Sequence, residues 1–319
     1  MRSIIVDHPG AEPRLADVPD PVPGPGTLGI RVRACGLNFA DLLMIKGTYQ
    51  EAPPYPLSPG LEVAGHVTAI GPGVVGWSIG QPVAAFCGHG GLAEHVAVPA
   101  ARCIPLPEGM DMVTGAAFQI AYGTSHLALT DAAGLAPGET LVVTGAAGGV
   151  GLTAVEIGHR LGARVVAVAR GAEKLAVARA AGAQHLIDSD TADLRAEVKA
   201  LGGADVVYDA VGEPGFSQLL RATRPGGRVL AIGFAGGTVP QVPANLLLVK
   251  NLRVIGFYWG GYLRFAPERL TASLSELVGW FAAGALKPHV GAVLPLDRAV
   301  EGLELLRSRR AIGKVVITC

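Results

Sequence analysis

Net charge is the first thing this sequence lacks. Its 319 residues carry 26 Lys and Arg against 26 Asp and Glu, and only 16% of the chain is charged. No basic or acidic block occurs along it, so nucleic acid and anionic membrane surfaces are poor partners. Cysteine is scarce as well. Cys35, Cys87, Cys103 and Cys319 are scattered without a C-x-x-C spacing, which argues for reduced thiols in a cytoplasm rather than a disulfide framework. The eight histidines stand singly, none at ligand spacing with a cysteine, so no metal site is expected. The segment Met1-Arg2-Ser3-Ile4-Ile5-Val6-Asp7 lacks the apolar core of a signal peptide. One uncharged stretch, Met112 to Thr130, approaches membrane length. It carries Gln119, His126 and several Thr and Gly, which suits a buried helix better than lipid.

What is present is apolar: half the residues, enough for a compact chain with two domains and a large core. The most informative stretch starts at Leu141-Val142-Val143-Thr144 and runs into Gly145-Ala146-Ala147-Gly148-Gly149-Val150-Gly151. Val150, Ala154, Ile157 and Leu161 then recur on one helical face. Gly162 closes that helix and Arg164 to Ala169 reads as the next strand, a βαβ crossover of ordinary size. The pattern is A-x-G-x-x-G, with Ala146 in place of the usual first glycine. Gly148 removes a side chain where a pyrophosphate must lie against the backbone, and Gly151 lets helix and strand approach. The backbone of Ala147, Gly148, Gly149 and Val150, at the helix start, is then placed to hold the negative charge.

An NAD site wants a carboxylate at the end of the second strand to meet the ribose 2′-hydroxyl. This chain has Ala169 there, followed by Arg170, Gly171 and Lys174. No acid repels a 2′-phosphate and two cations are near enough to pair with it, which favours NADPH over NADH.

Residues 1 to about 110 alternate short apolar runs with Gly and Pro turns. Strands are expected at Leu28–Ala34, Glu62–Ile70, Gln81–Phe86 and Leu92–Val98, forming a small irregular β-barrel. Glu51 to Gly60 must be an ordered loop, because its prolines prevent regular pairing. Met112 to Ala133 reads as a helical link. Strands follow near 141–144, 165–169, 185–188, 205–209, 228–233 and 252–258, with helices such as Glu173–Ala181 and Ala192–Leu201 between them. That alternation implies a parallel sheet covered on both faces. In the tail, Leu270, Leu274, Leu277 and Phe281 mark a helix ended by Gly284, Val290–Leu294 a strand, and Lys314–Ile317 a last strand. Asp297 is placed to cap a helix bearing Val300, Leu303 and Leu306. The tail is expected to fold back on the N-terminal domain, with a cleft between the two bodies.

Several motifs together carry a family resemblance. They are Cys35-Gly36-Leu37-Asn38-Phe39-Ala40-Asp41, Lys46-Gly47-Thr48-Tyr49, Pro59-Gly60-Leu61-Glu62-Val63-Ala64-Gly65, the Gly145–Gly151 turn, Asp205-Val206-Val207-Tyr208-Asp209 and Gly313-Lys314-Val315-Val316. Over essentially its whole length the chain resembles the zinc-free quinone oxidoreductases of the medium-chain dehydrogenase/reductase superfamily. The resemblance implies an α/β fold, a Rossmann doubly wound parallel sheet inserted in a GroES-like β-barrel catalytic domain. The expected boundaries are 1–115 for the catalytic domain, 116–258 for the NADPH-binding domain and 259–319 for a C-terminal segment returning to the first. In the superfamily's alcohol dehydrogenase branch a Cys and a His of the N-terminal domain, with a further Cys, hold zinc. Here Asn38 and Leu61 stand at the first two positions, and the region near Gln119 and Ile120 has no thiol. Asn and Leu cannot replace Cys and His for a borderline-soft cation.

Without a Lewis acid an alcohol is hard to deprotonate. A quinone or enone is already electrophilic and needs only alignment, hydrogen bonds to the oxygen that gains charge, and exclusion of water. The expected function is therefore an NADPH-dependent reductase that transfers hydride directly to a quinone or α,β-unsaturated carbonyl, without zinc or flavin. Two alternatives stay open: an enoyl-thioester reductase, and an NADPH-binding structural or regulatory protein with little turnover. The resemblance puts Asn38 facing the nicotinamide, where its amide donates to the acceptor carbonyl unless it is a structural turn residue. Tyr49 is a proton donor or an aromatic wall, if it does not simply pack. Leu43 stands where a second cleft tyrosine is often found. Thr124 supports the nicotinamide end of the cofactor. Gly233 with Phe234, and Phe257 with Tyr258 and Trp259, enclose the same end, unless these aromatics serve the core or a dimer contact. Lys314 lies near the cofactor or is a surface charge. Asp41 and Glu62, close to Asn38, suit an ion pair or hydrogen-bond role better than acid–base catalysis, and His126 suits a structural role. The apolar sixth strand, Arg253 to Tyr258, should be a sheet edge, and such edges associate; a symmetric homodimer is expected.

Overall fold

The structure, a computed structural model, describes residues 1–51 and 53–319. Two compact units emerge, Met1–Ile120 with Pro288–Cys319, and Ala121–Lys287. In chain order the first unit contributes β1 (Arg2–Ile5), β2 (Arg14–Asp17), β3 (Thr27–Gly36), α1 (Phe39–Lys46), β4 (Glu62–Ile70), β5 (Pro82–Phe86), β6 (His95–Pro99), β7 (Cys103–Pro105) and α2 (Met112–Ala116). After α3 (Gln119–Leu127) the second unit runs β8 (Thr140–Thr144), α4 (Gly149–Arg160), β9 (Arg164–Ala169), α5 (Gly171–Ala180), β10 (His185–Asp188), α6 (Leu194–Ala200) and β11 (Ala204–Asp209). It continues with α7 (Gly215–Ala222), β12 (Thr223–Ala231), α8 (Ala244–Lys250), β13 (Arg253–Gly256), α9 (Tyr262–Phe265) and α10 (Pro267–Ala282). The chain then returns to the first unit with β14 (Val290–Pro295), α11 (Ala299–Arg307) and β15 (Lys314–Thr318). No helix of the described residues is long and apolar enough to cross a membrane.

The first unit is the GroES-like sheet. Its seven-stranded sheet runs β14-β15-β3-β4-β5-β7, with β6 also on β3, while β1 and β2 pair apart. β3 alternates as a half-buried strand should: Leu28, Ile30 and Val32 face the core, Arg31 and Arg33 face solvent. The core joins Leu28, Ile30 and Val63 to Leu303, Val315 and Ile317, so the returning segment completes a core that the first 120 residues leave open. Gly65, in β4, has a packing reason: a Cβ there would stand 2.0 Å from the Arg31 carbonyl oxygen. Ala52, inside the expected Glu51–Gly60 loop, lies outside the described residues. Beyond it that loop is held by paired backbone bonds between Val6 and Leu57, at 2.8 and 3.0 Å.

The second unit is a six-stranded parallel sheet in the order β10-β9-β8-β11-β12-β13. Its order reverses direction between β8 and β11, the switch point at which open α/β sheets bind ligands. Every residue of β8 is buried, as expected of a central strand covered on both faces. β13 is an edge strand.

Three expectations need correction. Met112 to Ala133 is not one helix. α2 ends at Ala116, whose carbonyl oxygen would meet a Cβ on Gly36 at 2.1 Å, so strand and helix are already at the limit of approach. α3 restarts at Gln119, with the backbone N–H of Ile120 donating to Glu62 Oε2 at 3.0 Å, and a wide turn, Ala128–Ala132, follows it. Asp297 does not cap α11: it lies in a 3₁₀ turn, Leu296–Arg298, and the helix starts at Ala299 without a side-chain cap. The unit boundaries fall after Ile120 and Lys287 rather than after 115 and 258. Residues 259–287 stay with the second unit because Tyr262 Oη donates to Asp131 at 2.7 Å and Ser273 Oγ lies 2.8 Å from His126 Nδ1. The N–H of Lys287 donates to Glu156 Oε1 at 2.7 Å.

Gly65→Ala should cost about 1–3 kcal/mol, the usual range for overpacking. Gly279→Ala, in α10 with nothing within 4 Å of the new methyl, should be neutral or stabilise by about 0.4–1 kcal/mol through the unfolded chain. Denaturant midpoints of the two variants check the contrast.

Candidate functional site

Two polar centres stand out, one in each unit. In the second unit β8 ends at Thr144 and the chain turns at Gly145, whose φ of +60° is a left-handed conformation that favours glycine. This explains the departure from the usual pattern: the tight turn falls on Gly145, so Ala146 need not be glycine. Ala146 instead donates its N–H to Val168 O of β9 at 3.1 Å. At Gly151 a Cβ would lie 2.1 Å from Gly145 O, so the close approach of helix and strand is enforced by the chain itself. Gly148 differs. A Cβ there meets Gly145 O at 3.3 Å, a tight contact that a shift of a few tenths of an ångström relieves, so the chain constrains Gly148 far less than Gly151. Gly148 is also the N-cap of α4, with no side-chain cap on the helix. The first-turn amides have no intrahelical acceptor, and the helix dipole favours an anion at them. Ala147 is buried behind the turn, while Gly149 and Val150 form its half-buried rim. The cradle fits a pyrophosphate.

The neighbouring strand ends converge on this turn. Asp209, fully buried at the end of β11, accepts from Thr144 Oγ1 at 2.5 Å and from Gly212 N at 3.0 Å. Burial pushes its carboxyl up to about 6 against those hydrogen bonds. Gly233 donates its N–H to Asp209 O at 3.3 Å, and Phe234 packs beside Gly212. Phe257, just past β13, donates its N–H to Ala231 O at 3.1 Å, and its ring lies 5.6 Å from that of Tyr262. The turn, Gly233 and Phe257 thus all lie at the carboxyl ends of parallel strands. Thr124 is buried on α3. Arg170 is the N-cap of α5, with Lys174 one turn on. Lys174 is held below the usual lysine range, first by burial and then by the charge of Arg170. Two cations are therefore concentrated where the sequence places a 2′-phosphate. Asp209 and Thr144 were missed by sequence reasoning, although an acid closing an apolar strand run is a signal that buried donors await it.

The first unit's centre is a cluster around Asn38. Lys314 Nζ donates to Leu37 O at 2.8 Å, Asn38 Oδ1 at 2.9 Å and Glu62 Oε1 at 2.7 Å. Asn38 Nδ2 donates to Gly36 O at 3.1 Å and to Glu62 Oε1 at 3.0 Å. Asp41, in the first turn of α1, accepts from the N–H of Asn38 and from the N–H of Gly60, each at 2.7 Å. Asp41, Glu62 and Lys314 are all buried. Burial outweighs both amide bonds and the Lys314 charge, and raises the Asp41 carboxyl to about 7. Gln119 Nε2 donates to Ala84 O at 3.0 Å, leaving its buried Oε1 with no donor among the described residues.

Two expected roles change with this geometry. Both hydrogens of the Asn38 amide are spent on Gly36 O and Glu62, so the residue has no side-chain N–H left for an acceptor carbonyl, and its Oδ1 accepts from Lys314. Lys314 is 5% exposed, which rules out a surface charge, and all three of its N–H groups are used within the first unit. Tyr49 lies half-exposed in the loop after α1. Tyr55 Oη donates to Met44 O of that helix. Leu61 is buried at the start of β4. Among the described residues no three His, Cys, Asp or Glu side chains gather as a metal donor set.

A GroES-like sheet into which a parallel, glycine-turn sheet is inserted defines a medium-chain dehydrogenase/reductase. The alcohol dehydrogenase GroES-like domain model matches residues 24–108, and the zinc-binding dehydrogenase model matches residues 149–278. A quinone oxidoreductase-like protein 2 homolog of Nematostella vectensis is 38% identical over 300 residues, 92% of this chain and 82% of that one. The human synaptic vesicle membrane protein VAT-1 homolog is 33% identical over 315 residues, covering 93% and 80%. The quinone oxidoreductase of Thermus thermophilus, solved alone and with NADPH, superposes with a TM-score of 0.86 at 35% identity over the full length of both chains. The chain belongs to the quinone oxidoreductase family of the medium-chain dehydrogenase/reductase superfamily.

Asp41 gives a pH test with a definite sign. A folded value near 7 against 3.8 means the folded state holds its proton where the unfolded state has lost it. Asp41 therefore weakens the fold progressively as pH rises from about 4 to about 7. The stability of the wild type relative to Asp41→Asn should fall across that window, and carboxyl NMR of Asp41 should show a midpoint near 7.

Proposed function

We propose that the protein is an NADPH-dependent reductase that passes hydride directly to a quinone or α,β-unsaturated carbonyl, using neither zinc nor flavin. The observation that carries this reading is the uncapped α4 N-terminus at the Gly145–Gly151 turn, with Arg170 and Lys174 concentrated at the next strand end. Ala147, Gly148, Gly149 and Val150 take the pyrophosphate, and Arg170 and Lys174 the 2′-phosphate. Thr124, Gly233, Phe234 and Phe257 flank the nicotinamide end, and the bound nucleotide supplies the hydride. Tyr49 donates the proton that completes reduction of the acceptor. Asn38 presents Oδ1 to a bound reactant. The reading without zinc rests on donor chemistry, since Asn38 and Leu61 stand where thiolate and imidazole would be needed. The protein acts on a small molecule in the cytoplasm, as its four free cysteines suggest.

The test is NADPH oxidation with 1,4-benzoquinone, 9,10-phenanthrenequinone and crotonyl-CoA. Turnover of the quinones is expected. Turnover of crotonyl-CoA alone makes the protein an enoyl-thioester reductase, and NADPH binding without any turnover supports a regulatory role instead. Arg170→Ala with Lys174→Ala should weaken NADPH binding about tenfold or more, the worth of one charge-assisted bond, and leave NADH unchanged. Tyr49→Phe should slow quinone turnover about 100-fold, within the range of a lost general acid.

We also propose a homodimer that pairs β13 edges across a two-fold axis. β13 has an unpaired edge, and Leu248 and Val249 on the preceding α8 are 79% and 71% exposed. Light scattering should report a dimer for the wild type and a shift toward monomer for Leu248→Arg; a monomeric wild type contradicts the assignment.

A further inference from the structure

The Lys314 ammonium sits in a cage of three oxygens drawn from separate parts of the first unit: Leu37 O and Asn38 Oδ1 after β3, and Glu62 Oε1 on β4. Three N–H groups meet three acceptors, so the donor capacity of Lys314 is exhausted. It has nothing to give a phosphate or a carboxamide without leaving Glu62 buried and unpaired. Glu62 in turn is the acceptor that holds the Asn38 amide nitrogen, at 3.0 Å. The amide cannot be flipped. Its nitrogen faces two acceptors, Gly36 O and Glu62 Oε1, and its oxygen faces an obligate donor.

We propose that Lys314 is a positioning residue for Asn38. By pairing with Glu62 and donating to Asn38 Oδ1, it keeps the amide nitrogen turned inward. Asn38 then offers no side-chain N–H to a bound reactant, so any polar contact it makes is through Oδ1, to a hydrogen-bond donor. When the ammonium is removed, Asn38 Oδ1 and Glu62 Oε1 lose their shared donor, and Asn38 no longer has one preferred orientation. The proposal rests on the reductase reading only in placing Asn38 beside the reacting centre.

Lys314→Met tests it, with two independent readouts. The first needs no turnover. Exchange of the Asn38 side-chain amide protons, followed by NMR, should be slow in the wild type and about 100-fold faster in the variant, because protection follows the hydrogen bonds that hold a group. Unchanged exchange overturns the proposal, whatever the enzyme reduces. The second readout is kinetic. NADPH affinity should stay within about twofold, and KM for 9,10-phenanthrenequinone within about threefold. kcat should fall about 100-fold, the usual consequence of misplacing a reacting group. Millimolar ammonium, which supplies the one heavy atom that methionine lacks, should restore a large part of kcat; sodium should not. An NADPH affinity weakened tenfold or more with kcat intact shows instead that Lys314 holds the cofactor, and overturns the assignment. A wild type that binds NADPH and reduces no quinone refutes the reductase reading, while the amide-exchange result still decides the role of Lys314. If Lys314→Met does not fold, the double variant Glu62→Gln with Lys314→Met removes both buried charges together. It should fold and remain slow, with fast amide exchange; wild-type exchange in it refutes the proposal.

Discussion

The buried pair of Lys314 and Glu62, 2.7 Å apart with side chains 6% and 1% exposed, is the contact on which the first unit's polar centre depends. Glu62 Oε1 receives Lys314 and Asn38, and Oε2 receives the N–H of Ile120. One carboxylate thereby joins the start of β4, the turn before α1, the first turn of α3 and the last strand. As a source of net stability such a pair is a poor bargain, because desolvating two charges consumes most of what their attraction returns. Its value is specificity. Losing either partner strands the other, a penalty of about 3–5 kcal/mol in comparable buried pairs, so alternative packings of β15 or α3 are excluded. The pair also explains why the chain must come back after residue 288: without β15 the centre has three acidic or amide groups and no cation.

The second unit uses geometry where the first uses charge. Gly151 cannot carry a side chain because of Gly145 O, and Gly145 must be glycine because of its left-handed φ. At Gly148 the constraint is milder, since a Cβ would stand 3.3 Å from Gly145 O and need only a small shift. A glycine that its own chain constrains least, set at a helix start, is a better sign of binding than any count of glycines. The same distinction separates Gly65, excluded by Arg31 O, from a functional glycine.

Much of this was legible in the residues. The strands of the parallel sheet announced themselves as apolar runs at regular spacing, and six of them appear within a few residues of their expected positions. The glycine turn and the return of the tail were equally plain. What escaped shares one cause: it depends on contacts between residues far apart in the chain. The break between α2 and α3 is set by Gly36 and Glu62, more than 50 positions away. The attachment of residues 259–287 to the second unit rests on His126 and Asp131. Lys314 looks like a surface lysine in isolation, and nothing local reveals that its donors are spent 250 or more positions upstream. Periodicity finds elements; it cannot find their polar partners.

The charge of the Asn38 centre bears on which acceptors suit it. The Lys314 ammonium lies 2.9 Å from Asn38 Oδ1. That ammonium is not available as an electrophile. Glu62 is paired with it, and burial raises the Asp41 carboxyl beside them to about 7. On the proposed reading, a centre whose ammonium is taken up in this way offers no electrophile to an alcohol and no cation to an isolated alkoxide. It is compatible with acceptors that spread the incoming negative charge over their own conjugated framework and ask the protein only for position and a proton. The paired charges of the first unit and the side chains of Asn38 and Leu61, which are poor metal donors, therefore both agree with the proposed reading.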